Sequence, residues 1–295
     1  MIKFACQLIN KMSVKTIFDN IYLELSAIYD SREADNILSY IFEDFFKLKK
    51  PYSAHAELED AQLKLLTEIK NRLLQAEPWQ YITGFADFYG LKFNVNSSVL
   101  IPRPETEELV YQIIQKFKNS KNKLKVLDIG TGSACIAVTI AKNLPLAEVY
   151  AIDISEDALK IASANAALNK TKIHFDKIDI LNPGQRENLP VFDVIVSNPP
   201  YICKDEAEKM SANVLEYEPH LALFTTNDDP LEFYKAIIDF SKSHLSYGGH
   251  LFFELSAIYA NNVFQLVNEA NFEEVRLLND LQKLPRILTA KKIKS

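Results

Sequence analysis

Glycine is scarce in this chain, with seven among 295 residues, so each glycine marks a place where the backbone makes a demand that other residues meet poorly. Cysteine is scarcer still. Cys6, Cys135 and Cys203 are odd in number, far apart and free of any C-x-x-C spacing. That excludes a disulfide framework and makes a reducing cytoplasm the expected compartment. The five histidines show no H-x-x-x-H spacing, so no metal site is expected. Positive charge is not in excess either. The formal net charge is −6, which argues against a surface built for phosphate backbones, and no nucleic-acid partner is expected. No apolar run approaches the length of a membrane span, and no membrane association is expected. The opening MIKFACQLINKM lacks a small-residue cleavage site and reads as neither signal peptide nor anchor, with Met12 as an alternative start. What remains, 48% hydrophobic and 24% charged residues, is an ordinary globular composition.

From about Thr16 to Ala76 apolar residues recur at helical spacing: Ile17, Ile21, Leu25 and Ile28, then Ile37, Leu38, Ile41, Phe42, Phe45 and Phe46, then Leu63, Leu66, Ile69, Leu73 and Leu74. The stretch holds no glycine and one proline, Pro51, and predicts a small all-helical domain over residues 1–78. The texture changes at Pro78. In YITGFADFYGLKFNVN, Gly90 separates two short strand-like runs, which predicts a β-hairpin linker over residues 79–103. Two prolines in VLIPRPETEELV then stiffen the chain before a helix near Glu105. Over residues 104–295 strands and helices alternate. The strand candidates are VLDI, EVYAID, IHFDKIDI, FDVIVS, HLFFEL, EEVRLL and RILTA. This pattern predicts an α/β domain with a seven-stranded, doubly wound, largely parallel sheet. The last two strands have too short a link for a crossover helix and should be antiparallel neighbours.

Strand VLDI runs into Gly130-Thr131-Gly132-Ser133-Ala134 ahead of the helical CIAVTIAKNL. Two glycines after a buried strand permit a tight turn and a close approach to a ligand, and the helix start offers unpaired N–H groups. A tight strand-to-helix turn alone would use the same residues. Asp153, ending the second strand about 20 residues on, adds a carboxylate able to accept from both hydroxyls of a ribose. Ser155 is better placed than Asp153 to cap the following helix. Asp128 sets a second carboxylate near the cleft. Ile180, after the third strand, is a candidate for the adenine edge, or equally a core residue. The loop lacks the third glycine of a nicotinamide site, because Cys135 follows Ala134. The expected cofactor is S-adenosylmethionine.

The fourth strand candidate ends in Ser197-Asn198-Pro199-Pro200-Tyr201, at the edge of a doubly wound sheet that faces the ligand crevice. The Asn198 side-chain oxygen and the Pro199 carbonyl are both acceptors. Together they can hold the two hydrogens of an –NH2 group and aim its lone pair outward. Pro199 and Pro200 preorganise the backbone, and Tyr201 offers a flat face to a planar amide or heterocycle. Asn198, Pro199 and Tyr201 are therefore the candidate catalytic residues, and Asn198 through Tyr201 the substrate grip. No histidine base is apparent.

These segments resemble the HemK/PrmC family of release factor glutamine methyltransferases over nearly the whole chain: YITG and DFYGLKF, VLIPRPETEELV, VLDIGTGSACIAVTIA, AIDISEDALKIASANA, VIVSNPPYI, the Glu216-Tyr217-Glu218-Pro219 segment, LEFY and GGHLFFEL. LIPRPETE is the most discriminating, since other nitrogen methyltransferases share NPPY without it. The resemblance implies a helical domain for substrate recognition, a hairpin linker and a seven-stranded methyltransferase domain. It implies methylation of the glutamine of the Gly-Gly-Gln motif in peptide chain release factors. A monomer is expected. Gly130, Thr131, Gly132, Ser133, Ala134, Asp153, Ile180 and Asn198 would then contact the donor. The chain departs from the family at Ala134, where glycine is usual, in FTTNDDPLEFY, and in ELSAIYA. Arg103 and Glu105, in the linker, are given no catalytic role; a pair that locks the hinge between domains is at least as good a reading as direct substrate contact. The alternatives are a methyltransferase of adenine or cytosine amino groups in DNA or RNA, a non-catalytic adaptor that binds release factors, and last a nicotinamide oxidoreductase.

Overall fold

The computed structural model describes residues 12–53 and 55–293. The opening segment read as neither signal nor anchor, with Cys6, lies outside the described residues up to Lys11. The chain divides into two compact units between Gly84 and Phe85.

The first unit is helical: α1 (Val14–Leu25), α2 (Ser31–Phe46), α3 (Asp60–Leu74) and a short α4 (Trp79–Thr83). Short polar side chains set the helix starts. Ser13 Oγ accepts from the Thr16 N–H, Asp30 accepts from the N–H groups of Arg32 and Glu33, and Glu59 forms a capping box with Gln62. Leu25, Leu38, Ile41, Phe42 and Leu73 are almost completely buried in its core, where Phe18 meets Phe42 edge to face at 5.3 Å. Ile28 does not share this face. Helix α1 ends at Leu25 and Asp30 already caps the next helix, so the chain must turn between them and leaves Ile28 47% exposed.

The second unit opens with a hairpin of β1 (Phe85–Phe88) and β2 (Leu91–Asn94). Its two-residue turn puts Tyr89 and Gly90 both at positive φ, 50° and 73°, which matches the twist of the flanking strands. Then follow α5 (Pro104–Phe117), β3 (Leu124–Ile129), α6 (Cys135–Asn143), β4 (Ala147–Asp153), α7 (Glu156–Leu168), β5 (Ile173–Lys177) and β6 (Phe192–Ser197). After short helical turns come α8 (Glu232–His244), β7 (Leu245–Glu254), α9 (Ala260–Asn268), β8 (Phe272–Asn279) and β9 (Pro285–Lys292). The hairpin belongs to this unit and is tied to α7. Asn165 Oδ1 accepts from the Asn94 backbone N–H at 2.6 Å, and Asn169 Nδ2 donates to the Lys92 carbonyl at 3.0 Å.

The sheet is seven-stranded, ordered β5-β4-β3-β6-β7-β9-β8, as the alternating pattern predicts. Pairs from β5 through β7 are parallel; β9 runs antiparallel to both β7 and β8. The closing strands are antiparallel neighbours, with β9 folding back between β8 and the rest. Helices cover both faces, giving two apolar layers, one around Val126, Val138 and Val196 and the other around Ile195, Tyr234 and Phe253. The third parallel strand is shorter than IHFDKIDI suggests. It stops at Lys177; the Ile178 N–H then bonds the Asp153 carbonyl and the Asp179 carboxylate takes the Leu181 N–H, which turns the chain.

Candidate active site

The order of strands decides where a ligand can sit. Connections run to opposite sides of β3, so a crevice opens at its C-terminal end. The register makes this specific. Ile129 of β3 pairs with Ile152 of β4 on one side and with Ser197 of β6 on the other. The residues that follow these three, Gly130, Asp153 and Asn198, therefore emerge side by side on one edge. Backbone and side-chain bonds lock the edge. Gly130 and Thr131 donate to the Ile152 carbonyl at 2.9 and 3.0 Å, and the buried Ser197 hydroxyl donates to the Ile129 carbonyl at 2.7 Å.

A cavity of about 340 Å³ lies on this edge, within the size range of small-molecule sites. Gly130, Thr131, Gly132, Ser133, Asp153, Ile180, Asn198, Pro199 and Pro200 all line it. Two of the expected site residues do not. Ala134 is fully buried as the residue before α6, at φ 61° and ψ 25°, and shapes the loop from behind. That left-handed conformation suits glycine, which is the physical content of the substitution at this position. Tyr201 also stands back from the cavity wall. Its ring packs against the core layer that contains Tyr234, and burial there raises its phenol pKa.

The donor side of the cavity is built largely from backbone. Gly130 and Gly132 sit at φ 71° and 51°, and a Cβ placed on either would meet no protein atom within 4 Å. The space a side chain would occupy is left to the cleft. Asp153 has two duties: its Oδ2 accepts from the Gly132 N–H at 2.8 Å, and its Oδ1 from the Ser155 N–H at 2.9 Å. Burial raises its pKa while these backbone bonds oppose the rise. Ser155 is the helix cap, accepting from the Ala158 N–H. Asp128 lies deeper and does not reach the cavity wall. Its Oδ2 takes the Thr131 hydroxyl at 2.6 Å, its Oδ1 is buried without a partner, and burial pushes the carboxyl up to about 7.

S-adenosylmethionine fits this donor set. A cleft left open by two glycines can take a chain close to the backbone, Asp153 retains unused lone pairs for ribose hydroxyls, and Ile154, Ile178 and Ile180 give an apolar slot for a flat base.

Asn198 and Pro199 also line the cavity, with residues that sequence reasoning did not single out. Thr106, in the first turn of α5, lines the cavity beside Asn198, and the Asn198 Nδ2–H donates to its hydroxyl at 3.4 Å. Thr106 in turn donates to the buried Glu254 Oε2 at 2.6 Å. Glu254 ends β7, and burial pushes its carboxyl up to about 7 against the pull of Arg286. A lone carboxylate closing the apolar run HLFFEL was the readable signal, since unpaired charges are costly there. Leu221, Ala222 and Phe233, the last from the LEFY segment, also line the cavity. The Arg103–Glu105 pair is not made. Arg103 reaches Glu218 at 2.5 Å instead, a carboxylate that is 4% exposed and also accepts from the Ile101 N–H. A buried carboxylate needs a partner more than a partly buried neighbour does.

Comparison with known proteins agrees with this geometry. The family profile "Methyltransferase small domain" matches residues 109–218, which span the glycine loop, Asp153 and the NPPY loop. A solved methyltransferase from Pyrococcus furiosus superposes with a TM-score of 0.51 at 17% identity, covering 80% of this chain and all of that one, and shares the fold. The release factor glutamine methyltransferase of Bacteroides thetaiotaomicron is 43% identical over 225 residues, 76% of this chain and 80% of its own. That of Flavobacterium psychrophilum is 42% identical over 284 residues, 94% of this chain and 98% of its own. With identity at that level running through nearly the whole of both chains, this protein belongs to the family of release factor glutamine methyltransferases.

Proposed function

We infer that this protein methylates the side-chain amide nitrogen of the glutamine in the Gly-Gly-Gln motif of peptide chain release factors, with S-adenosylmethionine as donor. The observation that carries the reading is the Asn198 side chain. It stands on the cavity wall with its nitrogen turned toward Thr106, which leaves its oxygen for a substrate –NH2. When bound, the donor supplies a methyl group already activated for attack by a neutral nitrogen. The chain's own residues then have three tasks. Gly130 to Ser133 and Asp153 hold the donor. Asn198 Oδ1 and the Pro199 carbonyl accept the two amide hydrogens, which orients the nitrogen and raises its electron density. Thr131, Ile180 and the apolar wall keep the approach dry. Tyr201 supports the loop from behind instead of forming its face, and the surplus proton leaves to solvent, since no histidine lines the cavity among the described residues.

The names of the relatives support the choice of a release factor over a nucleic acid, as does the acidic formal charge. On this reading the helical unit holds the protein substrate, and the enzyme works as a cytoplasmic monomer. The test is incubation with methyl-labelled donor and, in separate reactions, a release factor and duplex or single-stranded nucleic acid. Label in the release factor alone, located on its Gly-Gly-Gln glutamine by mass spectrometry, is expected. Label in the nucleic acid would replace this reading with that of a base amino methyltransferase, and label in neither would favour an adaptor.

A further inference from the structure

The Asn198 side chain can face the cleft in two ways that have nearly the same shape. Only one presents the oxygen; the other presents –NH2 and would repel the amide hydrogens of the substrate. Something must choose between them, and the choice is written in hydrogen-bond polarity. Thr106 has a single hydroxyl proton, and its short bond commits that proton to Glu254 Oε2 at 2.6 Å. Toward Asn198 the hydroxyl can then only accept, so Asn198 must offer its nitrogen, as it does at 3.4 Å. We propose that Thr106 and Glu254 are positioning residues for methyl transfer, a buried relay that holds the Asn198 amide with its oxygen turned to the cleft. The inference rests on the methyltransferase reading above and deepens it.

The relay is anchored at each member. Pro104 at the first position of α5 fixes the entry of the helix that carries Thr106, and Arg103 just before it is held by Glu218. Thr106 and Glu254 are 3% and 4% exposed, so water does not compete for their bond. The Glu254 backbone carbonyl accepts from the fully buried Tyr234 hydroxyl at 3.0 Å. Asp280 holds Arg286, whose Nη1 donates to the Leu255 carbonyl next door.

A consequence follows for pH. Once protonated, Glu254 can donate to Thr106, which frees the threonine proton for the Asn198 oxygen and removes the preference. The charged and titratable groups facing Glu254 are Arg286 from β9, Arg103 and Glu105 at the start of α5, Tyr201 from the NPPY loop, Tyr234 from α8 and Cys135 from α6. Burial pushes Tyr234 and Cys135 far above neutrality and raises Tyr201, so these three do not change charge alongside Glu254 near pH 7.

The experiment is single-turnover methylation of a release factor at saturating donor by the wild type, Thr106→Val, Thr106→Ser and Glu254→Gln, with donor affinity and thermal melting measured on each. Thr106→Val keeps the shape and loses the polarity. Its rate should fall about tenfold, the worth of one orienting hydrogen bond, with donor affinity within about twofold of wild type. Thr106→Ser should recover most of the rate. The wild-type rate should fall as pH drops through about 7, and Glu254→Gln should lose that acid limb. A wild-type rate in Thr106→Val, serine no better than valine, or an acid limb that survives in Glu254→Gln would each overturn the relay. If the wild type itself leaves the glutamine unmethylated, the functional reading fails and the relay falls with it, an outcome distinct from the variant results.

Discussion

The two walls of the cleft are made in different ways. The glycine loop after β3 is a backbone structure: Gly130 and Gly132 at positive φ, the Gly132 amide donating to Asp153, and a helix start behind them. The NPPY loop after β6 is a side-chain structure, with Asn198 wired through Thr106 to Glu254, partners 92 and 148 residues apart in sequence. A backbone site depends on conformations that a few adjacent residues dictate. A side-chain site depends on groups brought from other elements, so its accuracy is a property of the fold. The first should therefore fail through affinity and the second through rate.

The largest effect separating the walls is expected at Asn198. Asn198→Ala removes the acceptor while leaving the fold, and single-turnover methylation should slow by about two to three orders of magnitude, the scale of losing a preorganised transition-state contact. Asn198→Asp keeps an acceptor but adds charge and loses the donor to Thr106, so its rate should fall between alanine and wild type. A near-normal rate in Asn198→Ala would mean that the NPPY wall does not orient the nitrogen.

On the other wall, Asp153→Ala should weaken S-adenosylmethionine binding by at least about tenfold in calorimetry, from the loss of charge-assisted bonds to the ribose and of the tether on Gly132. Unchanged affinity would remove Asp153 from the donor site.

The pH dependence of stability distinguishes the buried carboxyls on the two sides. Burial raises Asp128 and Glu254 to about 7, whereas in an unfolded chain they titrate near about 4. Between those values the folded protein holds protons that the unfolded one has released. Their stabilising contribution is thus complete below about pH 4 and is lost as pH rises through about 7. Asp229, Glu274 and Asp280, all lowered by their partners, act in the opposite sense. The clean quantity is therefore the difference between wild type and Asp128→Asn in thermal melts. That difference should shift toward the variant as pH rises from about 5 to about 7.5; a flat difference would contradict the raised value.

The smallest effect concerns the loop's departure from glycine. Ala134 holds φ 61° without contacting the cavity. Ala134→Gly should relieve strain of about 1 kcal/mol, partly offset by added chain entropy, and raise the melting temperature by about 1–2 °C. A lower melting temperature would show that the Ala134 methyl packing matters more than the strain.

The same contrast explains how much the sequence told in advance. The seven strands, the hairpin turn at Tyr89-Gly90 and the glycine loop with Asp153 were legible because each is fixed by neighbours a few residues away. Asn198 was legible because two prolines and a preceding apolar strand frame it. Thr106 was not, since a threonine in the first turn of a helix looks like capping. Its partner Glu254 shows only as one acid at the end of an apolar strand. A pair between Arg103 and Glu105 was one of two readings of the linker, yet Arg103 goes to Glu218, buried and 115 residues away. Tyr201 sits in a motif that suggests stacking, yet the packing of α8 draws its ring inward.

The most direct test of the division between the walls is a calorimetric titration of S-adenosylmethionine into Asn198→Ala. If the acceptor wall serves rate and the glycine wall serves affinity, donor binding in this variant stays within about threefold of wild type even as turnover collapses. A loss of donor affinity as large as that of Asp153→Ala would show that the two walls are one binding site, and would contradict the account.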